Sequence, residues 1–251
     1  MCRHIAYLGP PVALGEILTV PAHSLVRQSW EPRRQRSGTV NADGFGVGWY
    51  ADGDPVPGRY RRSGPVWGDE TFADLARVVR STALLGAVRD ATRAGADREA
   101  AAAPFASGPL LFSHNGAVAG WPGSLVPLAG ALPPERLLAL AARSDSALVW
   151  ALVLHRIAEG DEIAEAVSGT VLDIAGAAPG SRLNLLLTDG AVIVATAWGD
   201  SLWYLHEPGL RTVVASEPYD DSPSWHEVPD RTLLAATRDD VLLTPLKEPS
   251  A

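Results

Sequence analysis

The chain contains a single cysteine, Cys2, among its 251 residues. One cysteine excludes an intramolecular disulfide framework and favours a reducing compartment, so we expect a cytoplasmic protein. No stretch approaches the ~20 consecutive apolar residues that a membrane-spanning helix needs. The first residues also lack a continuous apolar run, because Pro10, Pro11 and Gly15 interrupt it. We therefore expect neither a signal peptide nor a membrane interaction.

Basic residues are fewer than acidic residues. The chain has 21 Lys and Arg against 29 Asp and Glu, for a net charge of -8. A nucleic-acid partner is disfavoured, because phosphate binding needs a basic surface. The six histidines show no metal-ligand spacing, so we expect neither a metal nor another cofactor. Because 47% of the residues are hydrophobic, the chain can bury a sizeable core.

The order of the apolar patterns predicts strands, then helices, then a β meander. Strands are predicted at residues 4–8, 45–50, 60–63, 84–88, 110–113, 183–187, 192–197, 202–206, 211–215, 232–237 and 241–246. Helices are predicted at residues 69–80, from Pro134 onward, from Ser144 or Asp145 to Glu159 with Gly160 as the stop, and from an Asp161 cap to about residue 175. The segment 93–107 reads as a loop. This pattern predicts an α+β domain in which two packed sheets have helices outside.

The position of Cys2 makes it a candidate nucleophile. If Met1 is trimmed, Cys2 carries a free α-amine beside its own thiol. Such an amine has an ordinary pKa of about 8, so a large neutral fraction is available as a base at neutral pH. An N-terminal amine that activates its own side chain is an established route to covalent catalysis. The alternative is a small buried hydrophobe. The apolar strand that follows predicts a place for Cys2 at a sheet edge.

A second candidate lies in the segment Ser113-His114-Asn115-Gly116. Glycine permits an unusual backbone angle, so the Gly116 N–H and the Asn115 amide can both donate to a developing oxyanion. The alternative is a hairpin turn, which Asn-Gly between apolar runs also predicts. His114 is interpreted as structural.

Two charged segments complete the set of candidates. Arg89 follows a buried strand, and an arginine there can bind a carboxylate through two parallel hydrogen bonds. Asp145 lies at a helix start and offers an anion for an ammonium group. The alternatives are a surface ion pair for the segment 89–93 and a helix cap for the segment 143–146. Taken together, a thiol, an oxyanion hole, a carboxylate clamp and an ammonium partner match a glutaminyl or γ-glutamyl group.

The motifs jointly resemble those of the class II glutamine amidotransferases. They are Met-Cys-Arg at the start, Asn-Ala-Asp-Gly-Phe-Gly-Val-Gly-Trp-Tyr at 41–50, the segment 89–93, His-Asn-Gly at 114–116, Ser-Asp-Ser at 144–146, Leu-Asn-Leu-Leu-Leu-Thr-Asp-Gly at 183–190 and Ala-Ser-Glu-Pro at 215–218. The resemblance spans nearly the whole chain, in order. It implies one type-2 glutamine amidotransferase domain over residues 1–251. It also implies an N-terminal-nucleophile hydrolase fold, a four-layer αββα sandwich.

Within that family, residues 28–30 and 33–44 are most similar to the stand-alone amidohydrolases of ergothioneine biosynthesis. This resemblance implies a small-molecule substrate, γ-glutamyl-hercynylcysteine sulfoxide, cleaved to glutamate and hercynylcysteine sulfoxide through a Cys2 thioester. It implies catalytic roles for Cys2, Asn115 and Gly116. Substrate-binding roles follow for Arg89, Thr92 and Asp145. Where many members carry Trp and His, this chain has Asp and Arg at positions 90 and 93.

Several alternatives stay open. The chain could be a glutaminase that supplies ammonia to a partner synthase, a hydrolase of other γ-glutamyl amides such as glutathione, or a non-catalytic binding protein. Trp30, Trp49 and Trp121 are candidates for binding a trimethylammonium group, with core packing as the alternative. Gly95 and Gly108 are candidate hinges of a lid formed by the 93–107 loop, with an unstructured surface loop as the alternative.

Overall fold

The computed structural model describes residues 2–35, 38, 40–91 and 99–247. Its strands are β1 (Arg3–Ala13), β2 (Gly44–Trp49), β3 (Gly58–Arg62), β4 (Arg80–Arg89), β5 (Phe105–Ser107), β6 (Leu110–Ala117), β7 (Arg182–Thr188), β8 (Ile193–Ala197), β9 (Trp203–Glu207), β10 (Arg211–Ala215), β11 (Trp225–Glu227), β12 (Thr232–Ala236) and β13 (Val241–Pro245). Its helices are α1 (Leu14–Leu18), α2 (Leu25–Gln28), α3 (Glu70–Val78), α4 (Val126–Gly130), α5 (Pro134–Leu138), α6 (Asp145–Glu159) and α7 (Ile163–Ala177). None of the described helices combines the length and apolar composition needed to cross a bilayer.

The strands form two antiparallel sheets. In the described residues, the seven-stranded sheet has the order β11-β9-β10-β1-β4-β2-β3, and the six-stranded sheet has the order β13-β12-β8-β7-β6-β5. Strand β1 lies in the middle of the first sheet, between β10 and β4. Its apolar run is continuous because both of its faces are buried.

Alternation along β1 shows how the layers stack. Ile5 and Tyr7 pack with helices α1, α2 and α3 on the outer face of the first sheet. Ala6 and Leu8 point the other way, into the apolar layer between the two sheets. A third cluster places α6 and α7 on the outer face of the second sheet. The order of layers is therefore αββα, which confirms the fold class expected from the sequence.

The ends of the helices follow the capping signals in most cases. Ser144 precedes α6, and its hydroxyl accepts the Ala147 N–H at 3.2 Å. Gly160 ends that helix with φ 110°, a left-handed angle that glycine adopts without strain. Pro134 is the first residue of α5, where its missing N–H costs nothing.

The predicted Asp161 cap is wrong. Helix α7 starts at Ile163, with Glu162 in the capping position. The carboxylate of Glu165 reaches back to the Glu162 N–H at 3.2 Å. Asp161 is engaged elsewhere, because its carboxylate accepts a hydrogen bond from Arg156 at 3.0 Å.

Two further expectations need correction. The loop expected over 93–107 contains strand β5, since Phe105 pairs with Phe112 and Ser107 with Leu110. Gly108, with φ 52°, is a residue of the tight turn of this hairpin. Residues 92–98, which include Gly95, lie outside the described residues. The expected place of Cys2 at a sheet edge is also wrong, because β1 is a central strand and Cys2 lies at its end.

Candidate active site

Cys2 lies directly before β1, beside the end of β4. Arg3 pairs with Val88 in the antiparallel register, so Cys2 and Arg89 are the next residues on the two neighbouring strands. Burial raises the pKa of the Cys2 thiol. A hydrogen bond from the Asp90 backbone and the Arg89 guanidinium act in the opposite direction. Because burial dominates, the resting thiol keeps its proton and needs a base during attack.

Asp145 also acts on the thiol. Its carboxylate raises the Cys2 pKa. The sulfur therefore has a negative charge nearby, from Asp145, in addition to the positive charge of Arg89. Fixed charges of opposite sign near a nucleophile suit a zwitterionic group such as an α-amino acid. The structure therefore brings Cys2, Arg89 and Asp145 together from segments that are distant in sequence.

Helix α6 and strand β6 hold the Asp145 carboxylate in place. Its Oδ2 accepts the Val118 N–H at 3.0 Å, and its Oδ1 accepts the Ser146 N–H at 2.8 Å. A carboxylate in the first turn of a helix is further favoured by the helix dipole. The helix-cap alternative is confirmed for Ser144 alone, because the neighbouring Asp145 carboxylate turns to the end of β6.

His114 reaches the same carboxylate through Ser146. Its Nε2 lies 3.0 Å from the Arg182 carbonyl oxygen, and its Nδ1 lies 3.0 Å from the Ser146 hydroxyl. A carbonyl only accepts, so Nε2 carries a proton and donates it to the Arg182 oxygen. The Ser146 Oγ also lies 3.4 Å from Asp145 Oδ1. The imidazole thus fixes a hydroxyl beside the candidate ammonium partner, a contact that sequence reasoning missed.

Asn115 and Gly116 lie within β6 and not in a turn. Asn115 pairs with Asn184 and Gly116 with Leu183, so the hairpin-turn alternative is wrong. The expected unusual backbone angle at Gly116 is wrong too, because Gly116 is absent from the described glycines with positive φ. Glycine is needed there for close approach, since a Cβ would overlap the Arg182 carbonyl group.

The Asn115 amide is tied to the strand of the nucleophile. Its Nδ2 lies 3.4 Å from the Ser216 hydroxyl, which accepts the His4 N–H at 3.0 Å. The Asn115 Oδ1 is buried and has no hydrogen-bond partner among the described residues. Ser216 follows β10 and was quoted from the sequence only as part of a motif. Its contact with Asn115 depends on the pairing of β1 with β10, which no local pattern reveals.

The neighbour of Cys2 joins a buried ion pair. Arg3 and Glu217 are fully buried, and Arg3 Nη2 lies 3.7 Å from the Glu217 carboxylate. The same carboxylate accepts the N–H groups of Arg33 and Arg34 at 3.0 and 2.7 Å. These two hydrogen bonds hold residues 33 and 34, which precede the 41–50 motif, close to Arg3 and therefore close to Cys2.

Strand β4 and the 41–43 segment meet at the same place. The Asp43 N–H donates to the Arg89 carbonyl at 2.9 Å, and the Asp43 carboxylate accepts the Ala91 N–H at 2.8 Å. The Arg89 guanidinium lies 3.5 Å from the Asp43 carbonyl, which leaves most of its donors for another partner. Thr92 and Arg93 lie outside the described residues.

The three tryptophan candidates differ in their surroundings. Trp49 packs against the cluster under α1–α3, and Trp121 packs against the cluster under α6 and α7. Trp30 is 38% exposed and meets Trp67 edge to face at 5.5 Å. Among the described residues, no group of three or more His, Cys, Asp or Glu is arranged to hold a metal ion.

Comparison with known proteins identifies the family of this chain. The sequence profile described as "Glutamine amidotransferases class-II" matches residues 16–215. Gamma-glutamyl-hercynylcysteine sulfoxide hydrolase of Mycolicibacterium smegmatis is 41% identical over 246 residues, which cover 98% of this chain and 100% of that protein. The structure of a glutamine aminotransferase class-II domain protein from Silicibacter pomeroyi matches with TM-score 0.69 at 25% identity, covering 98% of this chain and 100% of that one. Glutamine phosphoribosylpyrophosphate amidotransferase of B. subtilis matches with TM-score 0.63 at 14% identity, covering 98% of this chain and 49% of that one, a likeness of fold.

Proposed function

Since the chain belongs to the class II glutamine amidotransferases, we propose that it hydrolyses the γ-glutamyl amide bond of γ-glutamyl-hercynylcysteine sulfoxide. The products are glutamate and hercynylcysteine sulfoxide. The fold is of the N-terminal-nucleophile type that these amidotransferases share. The observation that carries the reaction type is Cys2 beside Arg89 on the neighbouring strand and within electrostatic reach of Asp145. The substrate rests on the 41% identity to a full-length relative of that name.

The reaction starts with attack of Cys2 on the γ-carbonyl. Once Met1 is removed, the neutral α-amine of Cys2 accepts the thiol proton and the sulfur adds to the carbonyl carbon. The resulting α-ammonium protonates the leaving amine as the C–N bond breaks. Water then hydrolyses the γ-glutamyl thioester. A base is required because burial holds the thiol in its protonated form.

Asn115 and Gly116 supply the donors for the tetrahedral oxyanion. For Asn115, this role needs Nδ2 to face the substrate. A half-turn of the amide achieves this, because Oδ1 then accepts the Ser216 O–H and Nδ2 becomes free. That turn also gives a partner to an oxygen that otherwise has none among the described residues. Loss of one such donor typically costs about 10²–10³ in rate.

The glutamyl end is bound by charge. The Arg89 guanidinium, with help from Thr92, takes the α-carboxylate, and Asp145 takes the α-ammonium. Because these groups are fixed by strands and a helix terminus, binding energy is converted into orientation of the γ-carbonyl over Cys2. All 251 residues form one domain in this proposal, and the enzyme works in the cytoplasm without a cofactor.

The test is glutamate release by purified protein whose N-terminus is verified by intact mass. Turnover of γ-glutamyl-hercynylcysteine sulfoxide, glutathione and glutamine is compared side by side, with Cys2→Ala as control. We expect strong preference for the sulfoxide and no turnover in Cys2→Ala. Equal or better turnover of glutathione or glutamine would overturn the substrate and leave the mechanism standing. Full activity of Cys2→Ala would end the mechanism.

A further inference from the structure

A cavity of about 360 Å³ lies away from Cys2, at the open edges of both sheets. Its walls come from edge strands β3 and β5 and from helices α5 and α6. Pockets that bind small molecules start at about 300 Å³, so the space fits a compact ligand. The route across the sheet from β1 to β3 passes β4 and β2. At about 4.8 Å per strand, the β3 backbone is roughly 14 Å from that of β1.

Three arginines line this cavity: Arg59, Arg61 and Arg136. No acidic residue is among the described residues that line it. Burial lowers the pKa of Arg59, and burial together with the charge of Arg59 lowers the pKa of Arg61. Like charges held close together and partly out of water favour an anion that would relieve their repulsion.

The contacts of these side chains leave donors for a ligand. Arg59 Nη1 donates to the Pro104 carbonyl at 3.3 Å, and Arg61 Nη1 donates to the Ala102 carbonyl at 3.0 Å. These bonds aim the two guanidinium groups and use one nitrogen of each, while a guanidinium has five N–H donors. The described residues form no hydrogen bond or ion pair with the Arg136 side chain. Glu99, whose charge also reaches Arg61, pairs with Arg62 at 3.8 Å.

The inner side of the cavity is apolar. Phe105 and Trp150 are nearly fully buried and contribute to its lining together with Leu154. Trp150 stacks on Phe112 with ring centroids 4.9 Å apart, so its ring is held in one orientation. A ligand with an apolar portion can therefore cover this wall while its charged end meets the arginines.

We propose that this cavity binds a small organic oxyanion, with its phosphate or carboxylate group between Arg59, Arg61 and Arg136 and its apolar part against Phe105 and Trp150. Arginine suits this role because its planar fork matches both groups through two parallel hydrogen bonds. The site is separate from the γ-glutamyl site and does not depend on the proposed reaction.

The test is calorimetric titration of the full chain with phenyl phosphate, benzoate, inorganic phosphate and phenol. We expect saturable binding of phenyl phosphate or benzoate that weakens with salt, weaker binding of inorganic phosphate, and none of phenol. The tighter of the two aromatic anions identifies the preferred head group. Absence of saturable binding by both would overturn the proposal.

Variants locate the bound anion. Arg136→Gln removes a charge that makes no described contact, and Ser107→Glu places a carboxylate in the cavity at an exposed position. Each should weaken phenyl phosphate or benzoate binding at least tenfold. Arg77→Gln, on the exposed face of α3, and Arg89→Gln, beside Cys2, should leave it unchanged. Loss of binding in Arg89→Gln with full binding in Arg136→Gln would place the anion in the γ-glutamyl site and overturn the proposal.

Kinetics provide a second check on separateness. Arg136→Gln should keep kcat and KM for the γ-glutamyl substrate. A raised KM with unchanged kcat would show that the cavity holds part of that substrate, which would overturn a separate site.

Discussion

Ser216 connects Asn115 to the strand that carries the nucleophile. Its hydroxyl lies 3.4 Å from Asn115 Nδ2 and accepts the N–H of His4 at 3.0 Å. His4 lies on β1, two residues after Cys2. The same hydroxyl therefore contacts both the Asn115 amide, which is the donor proposed for the oxyanion, and the strand that carries the Cys2 sulfur proposed to attack. Geometry of this kind matters because oxyanion donors stabilise the transition state only when they are already in position.

Ser216→Ala should therefore lower kcat with little change in KM. Without the hydroxyl, the Asn115 amide loses the partner that holds it, and we expect a loss of about 10- to 100-fold, less than the full cost of removing a donor. Steady-state kinetics with the γ-glutamyl substrate measure the split. Ser201→Ala is the matched control, because the Ser201 hydroxyl donates to the Ser216 carbonyl at 2.8 Å and does not touch Asn115. A Ser216→Ala enzyme with wild-type kcat would remove the positioning role.

Ser146→Ala should raise KM and leave kcat nearly unchanged. The hydroxyl joins His114 to the Asp145 carboxylate, so its loss loosens the partner proposed for the α-ammonium. Ser144→Ala is the comparison, because Ser144 caps the same helix without touching His114. Loss of that cap should lower the free energy of unfolding by about 1 kcal/mol. If both variants changed KM equally, Ser146 would be acting only through helix stability.

The buried His4 predicts acid sensitivity. Burial, His114 and Arg3 lower its pKa from 6.5 to about 3 in the folded protein. The unfolded chain therefore binds a proton at a higher pH than the folded one, and stability is lost as pH falls from 6.5 toward 3. A single group of this kind contributes a slope of up to about 1.4 kcal/mol per pH unit. Urea unfolding between pH 7 and pH 4 measures it.

The control for this prediction is a pair of substitutions. His4→Asn should flatten the acid slope, although it also lowers stability at pH 7. His226→Asn, at an exposed position, should leave the slope as it is. An unchanged slope in His4→Asn would mean that other groups cause the acid loss.

Gly116→Ala should destabilise the protein. The added Cβ would overlap the Arg182 carbonyl, and neighbouring backbone in a paired strand cannot move aside cheaply. Overpacking of this kind costs about 1–3 kcal/mol. Gly176→Ala is the control, because that glycine lies in α7 with nothing within 4 Å of a new Cβ. Thermal unfolding should show a lower Tm for the first variant and an equal or higher Tm for the second. Equal Tm values in Gly116→Ala and the wild type would contradict the close approach.

Local patterns predicted most of the elements, because strands and helix caps depend on near neighbours in sequence. Strands β7 and β8 and helix α6 between Ser144 and Gly160 are examples. Errors occurred where a distant or competing contact intervened. Glu162 and not Asp161 occupies the capping position, because the Asp161 carboxylate is bound by Arg156. Strand β5 forms because β6 offers an edge for pairing.

The sequence by itself determined the chemistry of the candidate site. Its single cysteine at position 2, its candidate oxyanion-hole residues and its charges are residue types, readable without coordinates, and they predicted a γ-glutamyl substrate. The order of apolar patterns predicted two packed sheets with helices outside, and the family resemblance implied the αββα order. Tertiary structure alone decided the contacts among them. Ser216 meets Asn115, His114 reaches Asp145 through Ser146, and Gly116 lies against Arg182 because strands far apart in sequence pair in one register. Register depends on packing of whole sheets, so no local pattern carries it.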